Sequence, residues 1–314
     1  MILTELPVNI GTPPQSQFVQ LDTGSFELWV NPTCSALNSG DSMFCDSVGN
    51  FNSAQSSTFS SLGTTKSLRY GIGAANITYV KDDITLPGSQ SVLRQLQFGV
   101  ATSTEDQFSG ILGIGYGMGL TTKYPNFLDE LTLQNVTKVK AFTIALGSKN
   151  EQEGVIVFGG VDTSKFGGTL ARLPITPADQ SPDKVPRYWV GMNSISLNPP
   201  SQRRKTYANS SMQVFLDSGS TLTLLPDDLV NAIAADFGAT APDANGFFGV
   251  SCDLLNANGT LDFAFNGVTI RVPYRELIRS SGNSCVLGLQ GNSQFVLLGD
   301  TFLRSAYGKL RSLF

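Results

Sequence analysis

A short motif occurs twice in this chain, and it constrains the possible fold more than any other feature. The run Val19-Gln20-Leu21-Asp22-Thr23-Gly24-Ser25 reappears in the second half as Val214-Phe215-Leu216-Asp217-Ser218-Gly219-Ser220. In each copy, apolar residues with strand character lead to an aspartate that is followed by turn residues. One Asp-Thr-Gly is an ordinary turn signal, but two matched copies favour two similar halves. Each half would then deliver one carboxylate to a shared site.

Two carboxylates at one site have a distinctive acid–base chemistry. At ~4 Å and an effective dielectric constant of ~20, two ionised carboxylates repel by about 4 kcal/mol. That energy corresponds to roughly 3 pKa units, so the pair keeps one proton over a broad acidic range. The charged carboxylate can then take a proton from water while the neutral acid protonates a carbonyl oxygen. This chemistry needs no covalent intermediate, metal or other cofactor.

Composition favours β structure and excludes several classes of function. The 314 residues include 32 Gly and 20 Phe, and 41% are hydrophobic, which is enough for large cores. The chain contains no histidine, which excludes Ser-His and Cys-His catalysis and removes the commonest zinc ligand. A net charge of −4 argues against nucleic-acid binding. No apolar run reaches the ~18 residues that a membrane span needs.

The paired motifs resemble those of pepsin-like aspartic endopeptidases, particularly secreted fungal members, in which the dyad is known to share a proton. Further similar segments run from Ile10-Gly11-Thr12-Pro13-Pro14-Gln15 to Leu298-Gly299-Asp300. The resemblance implies an all-β, bilobal pepsin-like acid protease fold, with two β-barrel-like lobes, a few short helices and a cleft between them. We expect an N-terminal lobe at 1–178 and a C-terminal lobe at 179–314. The second lobe is expected to lack its last strand, because the similarity ends after Tyr307.

The resemblance also implies which residues form the catalytic centre. Asp22 and Asp217 are expected to be the catalytic pair. Six neighbours are expected to support them: Thr23, Gly24, Ser25, Ser218, Gly219 and Ser220. In this arrangement Thr23 and Ser218 brace the two loops against each other. The two serines after the glycines hydrogen-bond the carboxylates, and the two glycines leave room for an extended peptide.

Residues 66–86 are predicted to form a hairpin with Tyr70-Gly71-Ile72-Gly73 near its tip. By resemblance this hairpin is the flap that closes over a bound peptide, with the Tyr70 hydroxyl near the Trp29 indole. Without the paired aspartate motifs, an ordinary surface hairpin would be an equal interpretation. Ile72 stands where relatives carry a polar residue, which argues against a side-chain hydrogen bond to substrate.

Other substrate-binding residues are implied by the same resemblance. The segment that ends in Ile111-Leu112-Gly113 is similar to the family's strand beside the first aspartate loop, and 296–300 is its counterpart. Phe108 and Ile111 are expected to line the pocket for the substrate residue before the cleaved bond. Thr221 is expected to contact substrate next to the second aspartate loop.

The four cysteines and four Asn-x-Ser/Thr sequons favour an oxidising, secretory compartment. The cysteines permit three connectivities or four free buried thiols. One pair in each half, Cys34–Cys45 and Cys252–Cys285, is the simplest arrangement and matches the resemblance. The candidate glycosylation sites are Asn76, Asn135, Asn209 and Asn258. The protein is therefore expected to be extracellular, vacuolar or bound at the cell surface.

These features predict an endopeptidase that acts at acidic pH and prefers bulky hydrophobic residues around the cut. Its partners would be polypeptide substrates and pepstatin-type inhibitors, and it would be a monomer made as a zymogen. One alternative is a weak or inactive pepsin-like binding protein, if the short C-terminus disables catalysis. A two-carboxylate glycosidase is a third class, but it needs carboxylates at least ~5 Å apart that do not share a proton.

Overall fold

A computed structural model describes residues 5–34, 45–107, 109–151, 153–239 and 241–311. These residues form two compact units. The N-terminal unit comprises the described residues through Ala141 together with Arg311, and the C-terminal unit runs from Phe142 to Leu310. The lobe boundary that the sequence analysis places between residues 178 and 179 stays a prediction.

One seven-stranded sheet forms the N-terminal unit, in the order β1-β2-β7-β3-β6-β5-β4. The strands are β1 Glu5–Ile10, β2 Gln15–Asp22, β3 Leu28–Val30, β4 Ser60–Arg69, β5 Ala74–Thr85, β6 Val92–Glu105 and β7 Gly110–Gly113. Alternation explains β2, in which Val19 and Leu21 point to the core while Phe18 is exposed. The predicted hairpin at 66–86 is present as the antiparallel pair β4 and β5.

The remaining described strands lie in the C-terminal unit, apart from the end residues Ala141 and Arg311. They are β8 Ala141–Ala145, β9 Val155–Phe158, β10 Trp189–Asn198, β11 Lys205–Thr206, β12 Met212–Leu216, β13 Thr223–Leu225, β14 Gly249–Val250, β15 Thr260–Phe265, β16 Val268–Pro273, β17 Ile278–Ser281, β18 Ser284–Leu287, β19 Leu289–Gly291, β20 Leu297–Leu298 and β21 Gly308–Arg311. The main sheet has the order β16-β15-β10-β12-β20-β13-β19, and β11 pairs with β10. Two smaller sheets have the orders β14-β18-β17 and β21-β8-β9.

The helices among the described residues are short. They are α1 Phe127–Leu133, α2 Asp227–Asp236, α3 Tyr274–Leu277 and α4 Asp300–Leu303, with 3-10 turns at Ser53–Gln55, Thr163–Lys165 and Cys252–Asn256 and a helical turn at 45–48. The apolar spacing of Leu229, Ile233 and Phe237 predicts α2, and all three side chains are buried. They pack into the main core of the C-terminal unit together with residues of β10, β15 and β18.

Both predicted disulfides are present, with Cys34 bonded to Cys45 and Cys252 bonded to Cys285. The second disulfide joins the 3-10 turn Cys252–Asn256 to β18. Free thiols are absent from the described part of the chain. The alternative of four buried thiols is therefore wrong.

Candidate active site

The first aspartate of the repeated motif ends an interior strand of its sheet, between β1 and β7. Asp22 is the last residue of β2 and lies opposite Gly113 of the parallel neighbour β7. Its side chain is 6% exposed. The Gly24 amide donates to Asp22 Oδ1 at 2.7 Å, so the turn after the strand orients the carboxylate.

The residues that follow β7 pack against this turn and form backbone hydrogen bonds with it. The Ile114 amide donates to the Asp22 carbonyl at 2.8 Å, and the Gly115 amide donates to the Ser25 carbonyl at 2.9 Å. A Cβ atom at Gly113 would come within 2.5 Å of the Phe26 and Glu27 backbone nitrogens. Only glycine permits this approach, which explains why two bulky residues are followed by glycine here.

The second aspartate lies in a loop of the same construction within the C-terminal unit. Asp217 follows β12, and its amide donates to the Leu298 carbonyl of β20 at 3.1 Å. The Gly219 amide donates to Asp217 Oδ1 at 3.1 Å, and Ser220 Oγ donates to Oδ2 at 2.8 Å. The Asp217 side chain is 8% exposed. Both carboxylates are therefore oriented by the backbone amide two residues further on.

Gly299 has the position in the second loop that Gly113 has in the first. A Cβ atom at Gly299 would lie 2.2 Å from the Leu222 carbonyl oxygen. The amides of Asp300 and Thr301 donate to the carbonyls of Ser220 and Thr221 at 2.8 and 3.2 Å. The repeated sequence thus corresponds to a repeated local structure in which a threaded strand supports each carboxylate loop.

The two serines after the motif glycines differ in their contacts. Ser220 bonds its aspartate, whereas Ser25 Oγ is buried without a hydrogen-bond partner among the described residues. The hydrogen bond expected from Ser25 to Asp22 is therefore not formed in this structure. Thr23 and Ser218 are both buried at 1% exposure, and the bracing role expected of them stays a prediction.

The segment expected to be the flap, Tyr70-Gly71-Ile72-Gly73, forms the turn between β4 and β5. Trp29 Nε1 donates to the Tyr70 hydroxyl at 2.7 Å, and the Tyr70 amide donates to the Gly73 carbonyl at 3.1 Å. Gly73 has a φ of +82°, which glycine adopts without strain. Burial raises the pKa of Tyr70 above its usual range, and the charge of Asp22 raises it further. Tyr70 therefore remains a neutral hydrogen-bonding group near the first aspartate.

The other expected substrate-binding residues have different surroundings. Ile72 in the turn between β4 and β5 is 77% exposed, and its carbonyl accepts from Gln107 Nε2 at 2.6 Å. Ile111 is buried in a cluster with Trp29 and Ile77, so in this structure its side chain contributes to the core. Phe108 lies outside the described residues. The contact between Gln107 and the flap joins residues far apart in sequence, and no sequence signal indicates it.

Glu27 is a buried polar residue that the motif analysis does not single out. It is 5% exposed and lies between the first aspartate loop and β3. Its Oε1 accepts from Tyr79 OH at 2.8 Å and from Lys66 Nζ at 2.9 Å. A charged residue inside the apolar run Phe26-Glu27-Leu28-Trp29 is the sequence signal that points to it.

The remaining site expectations concern the surface. The four sequon asparagines, Asn76, Asn135, Asn209 and Asn258, are all exposed. The residues that the structure describes contain no group of three or more Cys, Asp, Glu or His side chains placed to hold a metal ion. A helix of the length and apolarity needed to span a membrane is likewise absent from the described ranges.

Comparison with known proteins shows the family and the fold. The family model described as eukaryotic aspartyl protease matches residues 5–310. The chain is 32% identical to the probable aspartic-type endopeptidase opsB of Aspergillus fumigatus, over 96% of this chain and 64% of that protein. It is 35% identical to secreted aspartic protease 8 of Candida albicans, over 96% of this chain and 71% of that protein. The chain thus spans less than two thirds of the opsB protein.

Among solved structures, the chain resembles the aspartic proteinase from Irpex lacteus, with a TM-score of 0.75 and 22% identity. The match covers 98% of this chain and 91% of that one. It confirms the predicted all-β, pepsin-like fold. Together with the family match, these similarities show that the chain belongs to the eukaryotic aspartyl protease family.

Proposed function

We propose that this protein is an aspartic-type endopeptidase in which Asp22 and Asp217 are the catalytic pair. The observation that carries the proposal is the duplicated loop. Each aspartate in this family-matched chain is buried and accepts a backbone N–H at Oδ1 from the residue two positions on. An aspartate with only a structural role would not need the same backbone hydrogen bond at Oδ1 in both halves. The intact loops argue against an inactive binding protein.

In the proposed reaction one aspartate is charged and the other carries a proton. The charged carboxylate takes a proton from water, whose oxygen attacks the scissile carbonyl carbon as the neutral acid protonates the carbonyl oxygen. The carboxyl group that took the proton from water then gives it to the leaving amine as the C–N bond breaks. The other carboxylate takes a hydroxyl proton of the intermediate as the carbonyl group of the acid product forms. Both products leave, and the pair returns to its state of one proton. The backbone N–H groups at Oδ1 keep each carboxylate fixed through these steps.

We propose further that the β4–β5 hairpin is a flap over an extended peptide. The Trp29–Tyr70 hydrogen bond and the exposed apolar side chain of Ile72 support this role. An apolar flap tip favours substrates with bulky hydrophobic residues. Phe108, Ile111 and Thr221 are proposed pocket residues on the family resemblance alone.

The cellular setting follows from the relatives and the surface features. The names of several relatives describe secreted proteases, and two disulfides and exposed sequons suit the secretory pathway. We propose secretion, glycosylation at some of the sequons and synthesis as a zymogen. The lobes are proposed at 1–178 and 179–314. A monomeric state and inhibition by pepstatin are part of the same proposal.

Cleavage of an unfolded protein substrate at about pH 3–5 tests the proposal. We expect pepstatin to abolish cleavage and Asp217→Asn to lower it by at least about a thousandfold, as for removal of a central acid or base. Asp228→Asn is the matched control, because Asp228 is an exposed residue of α2. Cleavage that survives both pepstatin and Asp217→Asn would refute the assignment.

A further inference from the structure

The Glu27 carboxylate connects the first aspartate loop to both strands of the flap hairpin. Lys66, which donates to Glu27 Oε1, is in β4, and Tyr79, which donates to the same oxygen, is in β5. Lys66 lies opposite Ile77 in the strand register, so Lys66 and Tyr79 are diagonal neighbours on one face. One side chain therefore contacts both strands of the hairpin on a single face.

The Glu27 carboxylate is buried, so its stability depends on the groups that donate to it. The Glu27 side chain is 6% exposed, whereas the Lys66 side chain is 45% exposed, so the ammonium reaches inward from the surface. A buried carboxylate is unfavourable unless it is paired and hydrogen-bonded. Glu27 has an ammonium and a phenol on one oxygen, while Oε2 has no hydrogen-bond partner among the described residues. Its position thus depends on the two hairpin residues.

Two phenols beside Glu27 have raised pKa values. Burial is the main reason that the pKa of Tyr79 is raised, and its hydrogen bond to Glu27 and the charge of Glu27 add to the effect. Tyr124 packs edge-on against Tyr79, with ring centroids 5.4 Å apart. Burial, and then the charge of Glu27, also raise the pKa of Tyr124. The Tyr79 phenol therefore donates to Glu27, and Lys66 forms the ion pair with the same carboxylate.

The same short segment also holds the hairpin tip. Trp29, two residues after Glu27, donates to the hydroxyl of Tyr70 at 2.7 Å. Residues 27–29 thus contact the hairpin at two levels, through Glu27 in its middle and through Trp29 at its tip. Asp22 begins the loop that leads to these residues. The contacts of Glu27 and Trp29 therefore fix the position of the hairpin relative to the first aspartate.

We propose that Glu27 is a positioning residue for the flap, which fixes the β4–β5 hairpin so that Tyr70 stays near Asp22. This proposal deepens the proposed function and rests on it for the catalytic role of the flap. A charged acceptor is needed because a neutral amide forms weaker bonds with an ammonium and a phenol. Glu27→Gln keeps the shape of the side chain but removes the charge.

Amide hydrogen exchange of the full chain without substrate tests the anchoring directly. In Glu27→Gln we expect exchange across residues 66–81 to accelerate roughly tenfold, because a charge-assisted contact to both strands is lost. Glu105→Gln is the matched control, since Glu105 is an exposed carboxylate of the same sheet at the end of β6. Unchanged exchange in the hairpin of Glu27→Gln would overturn the proposal.

Kinetics separate positioning from a merely structural role. We expect Glu27→Gln to raise KM for an extended peptide roughly threefold to tenfold while kcat changes less, because the flap orders bound substrate. Should Glu27→Gln fail to fold, Lys66→Met tests the same contact from the surface side, with Lys81→Met as its control. Equal hairpin exchange in Lys66→Met and Lys81→Met would then overturn the proposal.

A double-variant cycle identifies the partner. If Glu27 acts through Lys66, Lys66→Met should have a much smaller effect on hairpin exchange in the Glu27→Gln background than in the unmodified chain. Additive effects would contradict the proposal. Exchange is read without proteolysis, so a chain with no protease activity would refute the proposed function and leave the anchoring result to be judged separately.

Discussion

Ser220 distinguishes the second carboxylate loop from the first at the level of a single atom. Its Oγ donates to Asp217 Oδ2, so Asp217 has a partner on each oxygen, from Gly219 and from Ser220. Hydrogen bonds to an ionised carboxylate are about twice as strong as those between neutral groups. The geometry of Asp217 therefore depends on this hydroxyl.

Ser220→Ala should lower kcat/KM roughly tenfold or more, which is the rate equivalent of one hydrogen bond to a charged group. Steady-state cleavage of a peptide substrate measures the change. Ser201→Ala, at an exposed serine in the turn between β10 and β11, is the matched control and should leave kcat/KM unchanged. Equal activity of the two variants would show that Asp217 does not need the Ser220 hydroxyl.

Among the elements, α1 shows how a short helix supports the first aspartate loop. Asn126 caps the helix by accepting from the Asp129 amide at 3.1 Å, and Asp129 returns the contact by accepting from the Asn126 amide. The Asn126 amide group also donates to the carbonyls of Phe26 and Gly115 at 3.2 and 3.0 Å. The helix cap thus holds the loop and its threaded strand together.

Asn126→Ala should reduce the free energy of unfolding by roughly 2–3 kcal/mol, because it removes a helix cap and leaves buried carbonyls unpaired. Asn126→Ser keeps an oxygen for the cap but has no amide donors, so we expect an intermediate loss. Denaturant unfolding of the three proteins gives the values. A serine variant as unstable as the alanine variant would mean that the cap contributes little.

Asp183 is the centre of a polar cluster that fixes the segment leading into β10. Asp183 accepts from Arg187 Nε at 2.8 Å, from Trp189 Nε1 at 3.1 Å and from the Val185 amide at 3.1 Å. Burial alone would raise the pKa of Asp183, but the bonds from Arg187, Val185 and Trp189 outweigh burial and lower the pKa below its usual value. This cluster therefore stays ionised in a moderately acidic medium.

Asp183→Asn should lower Tm by an amount that depends on pH. Because the pKa of Asp183 is lower in the folded state, its stabilisation is fully present above the unfolded value of about 3.9. It is lost as the pH falls through the folded value. The difference in Tm from the unmodified protein should therefore be largest near neutral pH and shrink below about pH 4. A constant difference would exclude the ionised carboxylate as its source, and Asp179→Asn on the same segment is the control.

At the scale of the whole molecule, the sequence predicts what is local or repeated. The paired motifs locate both carboxylate loops, and alternation with glycine locates the β4–β5 hairpin, because these signals are contained in a few consecutive residues. The contact between Glu27 and Lys66 spans 39 residues, and that between Gln107 and Ile72 spans 35. Side chains that meet through sheet register leave no periodic signal, so only the structure reveals them.

Both units contain buried tyrosines, so unfolding at alkaline pH tests the packing of both cores. Burial raises the pKa of six of the eight tyrosines above the ordinary value of 10.0, and they are Tyr70, Tyr79, Tyr116, Tyr124, Tyr207 and Tyr274. A folded pKa above the unfolded one stabilises the protein fully below about pH 10, and this stabilisation is lost as the pH rises further.

We therefore expect few tyrosines to ionise near pH 10, and the rest to ionise together with cooperative unfolding at higher pH. Ultraviolet absorbance of tyrosinate, recorded beside far-ultraviolet circular dichroism, follows both events. The chain has no histidine, so few side chains titrate between about pH 6 and 8, and stability should be nearly flat there. Ionisation of all eight tyrosines near pH 10 with native dichroism would contradict the buried positions assigned to six of these rings.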